Sequence, residues 1–240
     1  MPAAKRLAEN LRVIVSLCKG GSTALIHSLS HAPGVTCYLQ TVKSGQRRFG
    51  VPDYGVYYCR HAGVVLSKET IGHSTEADCT LAVFPSDEAV VATRPVFLLR
   101  DPVDAWAAWA RSGWGSLAYF LQAYTHLLDL CDRARGLTAG AAAIRYETFG
   151  EDVEAAFRRL CGVLEIPYDA GMVNWRNRFP GESAVIWRED VQADFDRGHA
   201  DSARAARGFA WRRTDFTPPA GELREIERRL RARYEACTNV

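Results

Sequence analysis

No apolar run in this chain approaches the roughly 20 residues that a membrane-crossing helix needs, so a membrane span is not expected. The opening residues MPAAKRLAEN are polar and helix-prone and lack the apolar centre of a secretory leader. Paired cysteines are missing too. The seven cysteines, at positions 18, 37, 59, 79, 131, 161 and 237, contain no C-x-x-C spacing, which removes the usual zinc and dithiol signatures. Net charge is only +2, so a general nucleic-acid surface is not expected, although a local basic cluster can still hold a compact polyanion. There is no internal repeat and no low-complexity tract. These absences lead to the expectation of a soluble, cytoplasmic protein with reduced thiols.

With 240 residues and 48% hydrophobic content, the chain can bury one substantial core, and a single domain over residues 1–240 is expected. Short β-branched runs predict strands at Arg12 to Leu17, Val35 to Leu39, Gly63 to Ser67, Val96 to Leu99 and Ala142 to Arg145. Helix starts are signalled at Ser22, at Ser86 before Asp87 and Glu88, and at Asp101-Pro102. Longer helices are predicted near Ser116 to Arg135, over Asp152 to Leu164 and after Pro218-Pro219. Strand and helix in alternation predict an α/β fold, a mostly parallel sheet covered on both faces. Residues 170–215 have little periodicity and read as an irregular segment covering a site.

The stretch RVIVSLCKGGSTALIHSL, residues 12–29, has the ingredients of an anion site. A strand delivers the chain to two glycines that let the backbone approach a ligand, and a helix start then presents free N–H groups. A Walker loop places its lysine after the last glycine, whereas here Lys19 precedes Gly20 and Gly21. Its ammonium is therefore expected on the strand side, aimed past a held phosphate at whatever that phosphate carries. In VFLLRDPVDAWAAWARSG, residues 96–113, Arg100 leaves the carboxyl end of an apolar strand, where open α/β sheets bind ligands. A guanidinium fork there suits phosphate; an ion pair with Asp104 is the plainer structural alternative.

Taken together, these stretches resemble the bacterial sulfotransferases that use 3'-phosphoadenosine 5'-phosphosulfate (PAPS). The family's Lys/Arg-Ser-Gly-Thr/Ser-Thr loop is similar to Lys19-Gly20-Gly21-Ser22-Thr23, with glycine in the serine slot, and its Arg-Asp/Asn-Pro motif matches Arg100-Asp101-Pro102. AIRYETFGEDVEAAFRRLCGVLEIPYD, residues 143–169, is similar to the family's Tyr-Glu-Asp-Leu strand end and following helix. GFAWRRTDFTPPAGELREIERRL resembles its Gly-Arg-Trp-Arg segment before the terminal helix. The resemblance spans nearly the whole chain in order. It implies a P-loop-like sulfotransferase fold, PAPS as donor, adenosine 3',5'-bisphosphate as product, a small-molecule hydroxyl acceptor and no metal. It also implies that Lys19 meets the leaving phosphate, that Ser22, Thr23 and the amides after Gly21, including Ala24, hold the 5'-phosphate, and that Arg100 holds the 3'-phosphate.

The chain departs from that pattern in two places. Ala108 stands where the family has a serine sharing the 3'-phosphate; Ser112, one turn on, is the candidate substitute, with Ser202, Arg204, Arg207 and Gly208 of a loop similar to the family's C-terminal one. In GVVLSKETIGH, residues 63–73, Lys68 fits the lysine of a Lys-Thr-His strand end, but Thr70 takes the histidine slot. The acceptor's proton is then expected to go to Glu69 first and His73 second. Positioned groups of this kind contribute about 10²- to 10⁴-fold in rate. Plainer readings exist for each: a surface lysine, a salt-bridged glutamate, an ordinary loop histidine. Phe49, Tyr54, Tyr57 and Tyr58, within residues 38–60, suit either a pocket for a planar or partly anionic acceptor or simple packing. Trp106, Trp109 and Trp114 read as core. Two other functions stay open at this point, a P-loop-type small-molecule kinase and a non-catalytic nucleotide-binding or interaction protein.

Overall fold

The computed structural model describes residues 6–59, 62–175, 185–186 and 208–238. The strands are β1 (Leu11–Leu17), β2 (Val35–Leu39), β3 (Val64–Ile71), β4 (Val96–Leu99), β5 (Ala142–Arg145) and β6 (Val185–Ile186). The helices are α1 (Ser22–Leu29), α2 (Thr41–Phe49), α3 (Glu76–Cys79), α4 (Asp87–Thr93), α5 (Pro102–Arg111), α6 (Leu117–Leu137), α7 (Thr148–Glu151), α8 (Val153–Leu164) and α9 (Ala220–Thr238). Single turns of tighter helix occupy Gly55–Tyr58 and Ala170–Met172. The strands form one sheet in the order β5-β4-β1-β3-β2-β6, and every pairing is parallel.

Strand β1, LRVIVSL, is buried along its whole length, as a central parallel strand covered on both faces must be. One face, with Val13, Val15, Leu17, Val65, Phe97 and Leu99, packs beneath α5, α6 and α9. The other, with Ile14, Leu66, Val96 and Leu98, packs against α1 and α8. The helix signals in the sequence act as expected. Asp101 accepts hydrogen bonds from Val103 N and Asp104 N ahead of Pro102; Ser86, Ser116 and Asp152 cap α4, α6 and α8 in the same way.

Two sequence expectations are corrected. Strand β3 runs to Ile71, so Lys68 and Glu69 lie inside it and not at its end. Helix α2 lies within the segment read as pocket lining, and no side chain of its own caps it. Because β3, β1 and β4 are adjacent and parallel, the loops after them emerge at one edge of the sheet. Those loops begin at Cys18, Gly72 and Arg100.

Candidate active site

The turn between β1 and α1 is tight. Gly20 N donates to Leu17 O at 2.9 Å. Lys19 has φ 65° and Gly21 φ 84°, left-handed values that are rare for a residue with a Cβ. A Cβ on Gly20 would sit 2.8 Å from Leu17 O, and one on Gly21 would collide with the ring of Tyr146. Helix α1 begins with Gly21 as its cap and no side chain bonded to its first amides, so these donors are left for another acceptor. Ser22 is buried and fixed by a 2.6 Å hydrogen bond with Ser16.

Below this turn, on the α1 face of the sheet, lies Lys68. It pairs with Ile14 in the strand register and is fully buried. Its Nζ donates to Thr23 Oγ1 at 3.3 Å and, among the described residues, forms no ion pair. Burial lowers its pKa to about 8, partly opposed by Cys18 and Glu69. Thr70, two residues on and so on the same face, has a buried Oγ1 with no hydrogen-bond partner among the described residues. A buried ammonium with one neutral partner and a buried hydroxyl with none are both expensive. Through its bond to Thr23, Lys68 stands beside the first turn of α1, whose amides no side chain caps. Lys68 is therefore buried inside the sheet and not a surface lysine; Thr70, read only as a missing histidine, lies on the same face.

Glu69 points to the other face and is also fully buried. Its Oε1 accepts from Thr41 Oγ1 and Val42 N, both at 3.1 Å, and its Oε2 from Lys43 N at 3.2 Å. Burial raises its pKa, against the pull of those donors. Both oxygens are thus committed to the N-terminus of α2. It was this cap, supplied from another element, that the sequence of α2 concealed.

His73 lies just past β3, half-buried, with Nδ1 2.7 Å from Ser74 Oγ and no hydrogen bond at Nε2 among the described residues. Its ring is 4.4 Å from that of Trp114, and Lys19 Nζ stands 4.2 Å from the centre of the same indole. Trp114 thus joins the two loops, whereas Trp106 and Trp109 are core as expected. His73 has a lowered pKa, mainly through partial burial and then through Arg47, Lys43 and Lys19, with Asp78 opposing. Lys19 is lowered as well, by burial and by Arg111.

Arg100 is buried and heavily engaged. It donates from Nε to Asp104 Oδ2 at 2.7 Å, from Nη1 to Lys19 O at 2.7 Å, and from Nη2 to Thr214 Oγ1 at 2.9 Å and Arg212 O at 3.1 Å. The Asp104 ion pair is therefore present, and it coexists with direct support of the glycine turn. Among the described residues four of the five N–H groups of a guanidinium find partners, leaving one at Nη1. Tyr146 stacks on the guanidinium at 5.1 Å as well as closing over Gly21.

Ser112 ends α5 and donates its hydroxyl to Ala108 O at 2.9 Å. Gly208 forms an antiparallel bridge with Asn174, where a Cβ would strike Val173 O. Ser202, Arg204 and Arg207 lie outside the described residues, as does most of the irregular covering segment. Of the tyrosines read as either pocket lining or packing, Tyr54 and Tyr57 donate to Ala82 O and Val83 O at 2.8 and 2.9 Å, and Tyr58 packs on the core. An open pocket of about 450 Å³ instead lies beside His73, lined by Gln46, Arg47, Ser74, Thr75, Ala77 and Asp78. A second, of about 400 Å³, includes Asp104, Trp211, Arg213, Thr214 and Arg231, and so shares two residues with the Arg100 network. Among the described residues no group of histidine, cysteine and carboxylate side chains has the arrangement of a metal site, and no helix is long and apolar enough to cross a membrane.

No protein-family signature and no curated sequence matches the chain. Among solved structures it is similar to the sulfotransferase domain from the curacin biosynthetic pathway, with 12% identity and a TM-score of 0.51 over 94% of this chain and 98% of that one. It is also similar to the sulfotransferase domain of the Synechococcus PCC 7002 olefin synthase, with 14% identity and a TM-score of 0.48 over 95% and 96%. For mouse sulfotransferase SULT7A1 complexed with PAP the values are 14%, 0.47, 81% and 80%. The mostly parallel sheet with helices on both faces is thus the fold of a sulfotransferase domain.

Proposed function

We propose that this protein transfers a sulfonyl group from PAPS to a hydroxyl of a small-molecule acceptor. The observation that carries the reading is the buried Lys68 ammonium, without an ion-pair partner among the described residues, beside Thr70 and the open N-terminus of α1. These groups fit a phosphosulfate, because a charged oxygen there would satisfy an ammonium, a hydroxyl and backbone amides together.

PAPS supplies an activated sulfonyl group on a phosphate leaving group. The residues of the chain do the rest. Amides of Ser22, Thr23 and Ala24 bind the 5'-phosphate at the start of α1, with Gly20 and Gly21 allowing the approach. Lys19 and Lys68 neutralise charge on the leaving oxygen from opposite sides of the turn, which assists the transition state more than the ground state. Arg100 holds the turn through Lys19 O and offers its remaining Nη1 proton to the 3'-phosphate; Ser112 retains acceptor capacity only and is the weaker contributor. His73, with Nε2 available, takes the acceptor's proton, and Glu69 serves as a helix cap in place of the role expected from sequence. The acceptor enters through the pocket beside His73.

A thermal-shift comparison tests the reading, since a ligand that binds only the folded state raises stability by mass action. Adenosine 3',5'-bisphosphate should stabilise the protein more than 5'-AMP or ATP, without magnesium. Equal shifts for the three nucleotides would remove the basis for a PAPS site. Radiolabelled sulfonyl transfer to a panel of alcohols and phenols then tests turnover.

A further inference from the structure

Lys43 is a lysine with 1% exposure, buried on α2 between the loops that follow β1 and β3. Its Nζ donates to Gly72 O at 2.5 Å and to Cys18 Sγ at 3.3 Å, and pairs with Asp78 Oδ1 at 3.7 Å. Cys18 immediately precedes Lys19, and Gly72 immediately precedes His73. We propose that Lys43 is the positioning residue of the active site, holding the Lys19 turn and the His73 loop at a fixed separation from behind. The inference rests on the sulfotransferase reading for its catalytic consequence, but the tether itself is independent of it.

The surroundings make the tether rigid. Gly72 has φ 85°, and its flank is closed by the ring of Trp109, so the loop has one path out of the strand. Gly72 N donates to Asp78 O at 2.6 Å. The Asp78 carboxylate accepts from Arg47 Nε at 2.9 Å and Thr75 Oγ1 at 2.9 Å. A buried ammonium with a nearby carboxylate and a short carbonyl bond is satisfied where it stands, and removing it leaves Asp78 and Gly72 O short of a donor. Lys43 also acts through space. The charged groups facing His73 are Lys43 and Arg47 from α2, Asp78 from α3 and Lys19 from the turn, while the His73 main chain bonds the Cys79 sulfur. Three cations against one carboxylate favour the neutral imidazole that a proton acceptor must be.

The test is an NMR titration of the His73 ring in the full chain, its resonance assigned by loss in His73→Asn. In Lys43→Met the midpoint should rise, because a nearby cation is gone; in Lys43→Arg it should stay close to the wild-type value. Sulfonyl transfer should fall about 10- to 100-fold in Lys43→Met, the scale of a catalytic group displaced by about 1 Å, with adenosine 3',5'-bisphosphate affinity within about threefold. If Lys43→Met does not fold, Asp78→Asn reads the same cluster, with a downward shift of the His73 midpoint expected. An unmoved His73 midpoint in whichever of Lys43→Met and Asp78→Asn folds, or a loss in nucleotide affinity as large as the loss in turnover, overturns the proposal. Failure of the sulfotransferase reading is separately visible as absence of bisphosphate binding to the wild type.

Discussion

The imidazole of His73 and the indole of Trp114 lie 4.4 Å apart, although 41 positions separate them in the chain. Lys19 approaches that same indole. The proposed proton acceptor and the proposed leaving-group lysine thus share one aromatic wall, and the reacting atoms would lie beside it.

Transfer to an alcohol should rise with pH through a single ionisation below 6.5, since partial burial and neighbouring cations lower the His73 pKa. A depressed histidine loses its proton earlier, so the active form persists through neutral pH. His73→Asn should reduce turnover by about 10²- to 10⁴-fold and leave bisphosphate affinity unchanged. Retained turnover in His73→Asn would exclude it as the base.

Lys68→Met should raise the melting temperature of the ligand-free protein while abolishing stabilisation by adenosine 3',5'-bisphosphate. A buried ammonium with a single neutral partner is costly, and an apolar side chain of similar size removes that cost. In the wild type, bisphosphate affinity should weaken as pH rises above about 8, where the buried ammonium loses its proton. Calorimetric titration between about pH 7 and 9.5 measures this, and the dependence should vanish in Lys68→Met.

Glu69→Gln should lower stability by about 1.5–3 kcal/mol, the scale of hydrogen bonds to a charged group. At about 2–4 °C per kcal/mol for a chain of this size, the melting temperature falls by several degrees. The pH profile of transfer should keep its midpoint, because the carboxylate serves α2. A lost acid limb would return the base role to Glu69.

Arg100→Ala leaves the buried Asp104 without its ion pair and Lys19 O without its donor, a loss on the order of 3–5 kcal/mol. Preference for adenosine 3',5'-bisphosphate over 5'-AMP should disappear with it. Arg100→Lys should recover little, since one ammonium cannot serve Lys19 O, Thr214 and Arg212 O from a planar fork.

All five expected strands, their parallel arrangement and the starts of α4, α5, α6 and α8 were legible in the sequence, because β-branched runs and N-cap side chains act on their own neighbours. The glycine turn was legible for the same reason: positive φ and lack of space for a Cβ are local demands. The far end of β3 was not, since Lys68, Glu69 and Thr70 read as a polar strand end. They remain in the sheet because β1 pairs with them on one side and β2 extends that support as far as Lys68 on the other. Helix α2 was hidden because Glu69, a residue of another element, satisfies its first amides. The role of Lys43 was equally hidden, since nothing in TVKSGQRRF tells that one lysine reaches Cys18 and Gly72. Sequence alone determined where backbone geometry must bend and which faces are apolar; tertiary structure decided which charges meet, because strand adjacency and burial set the partners of each charged group.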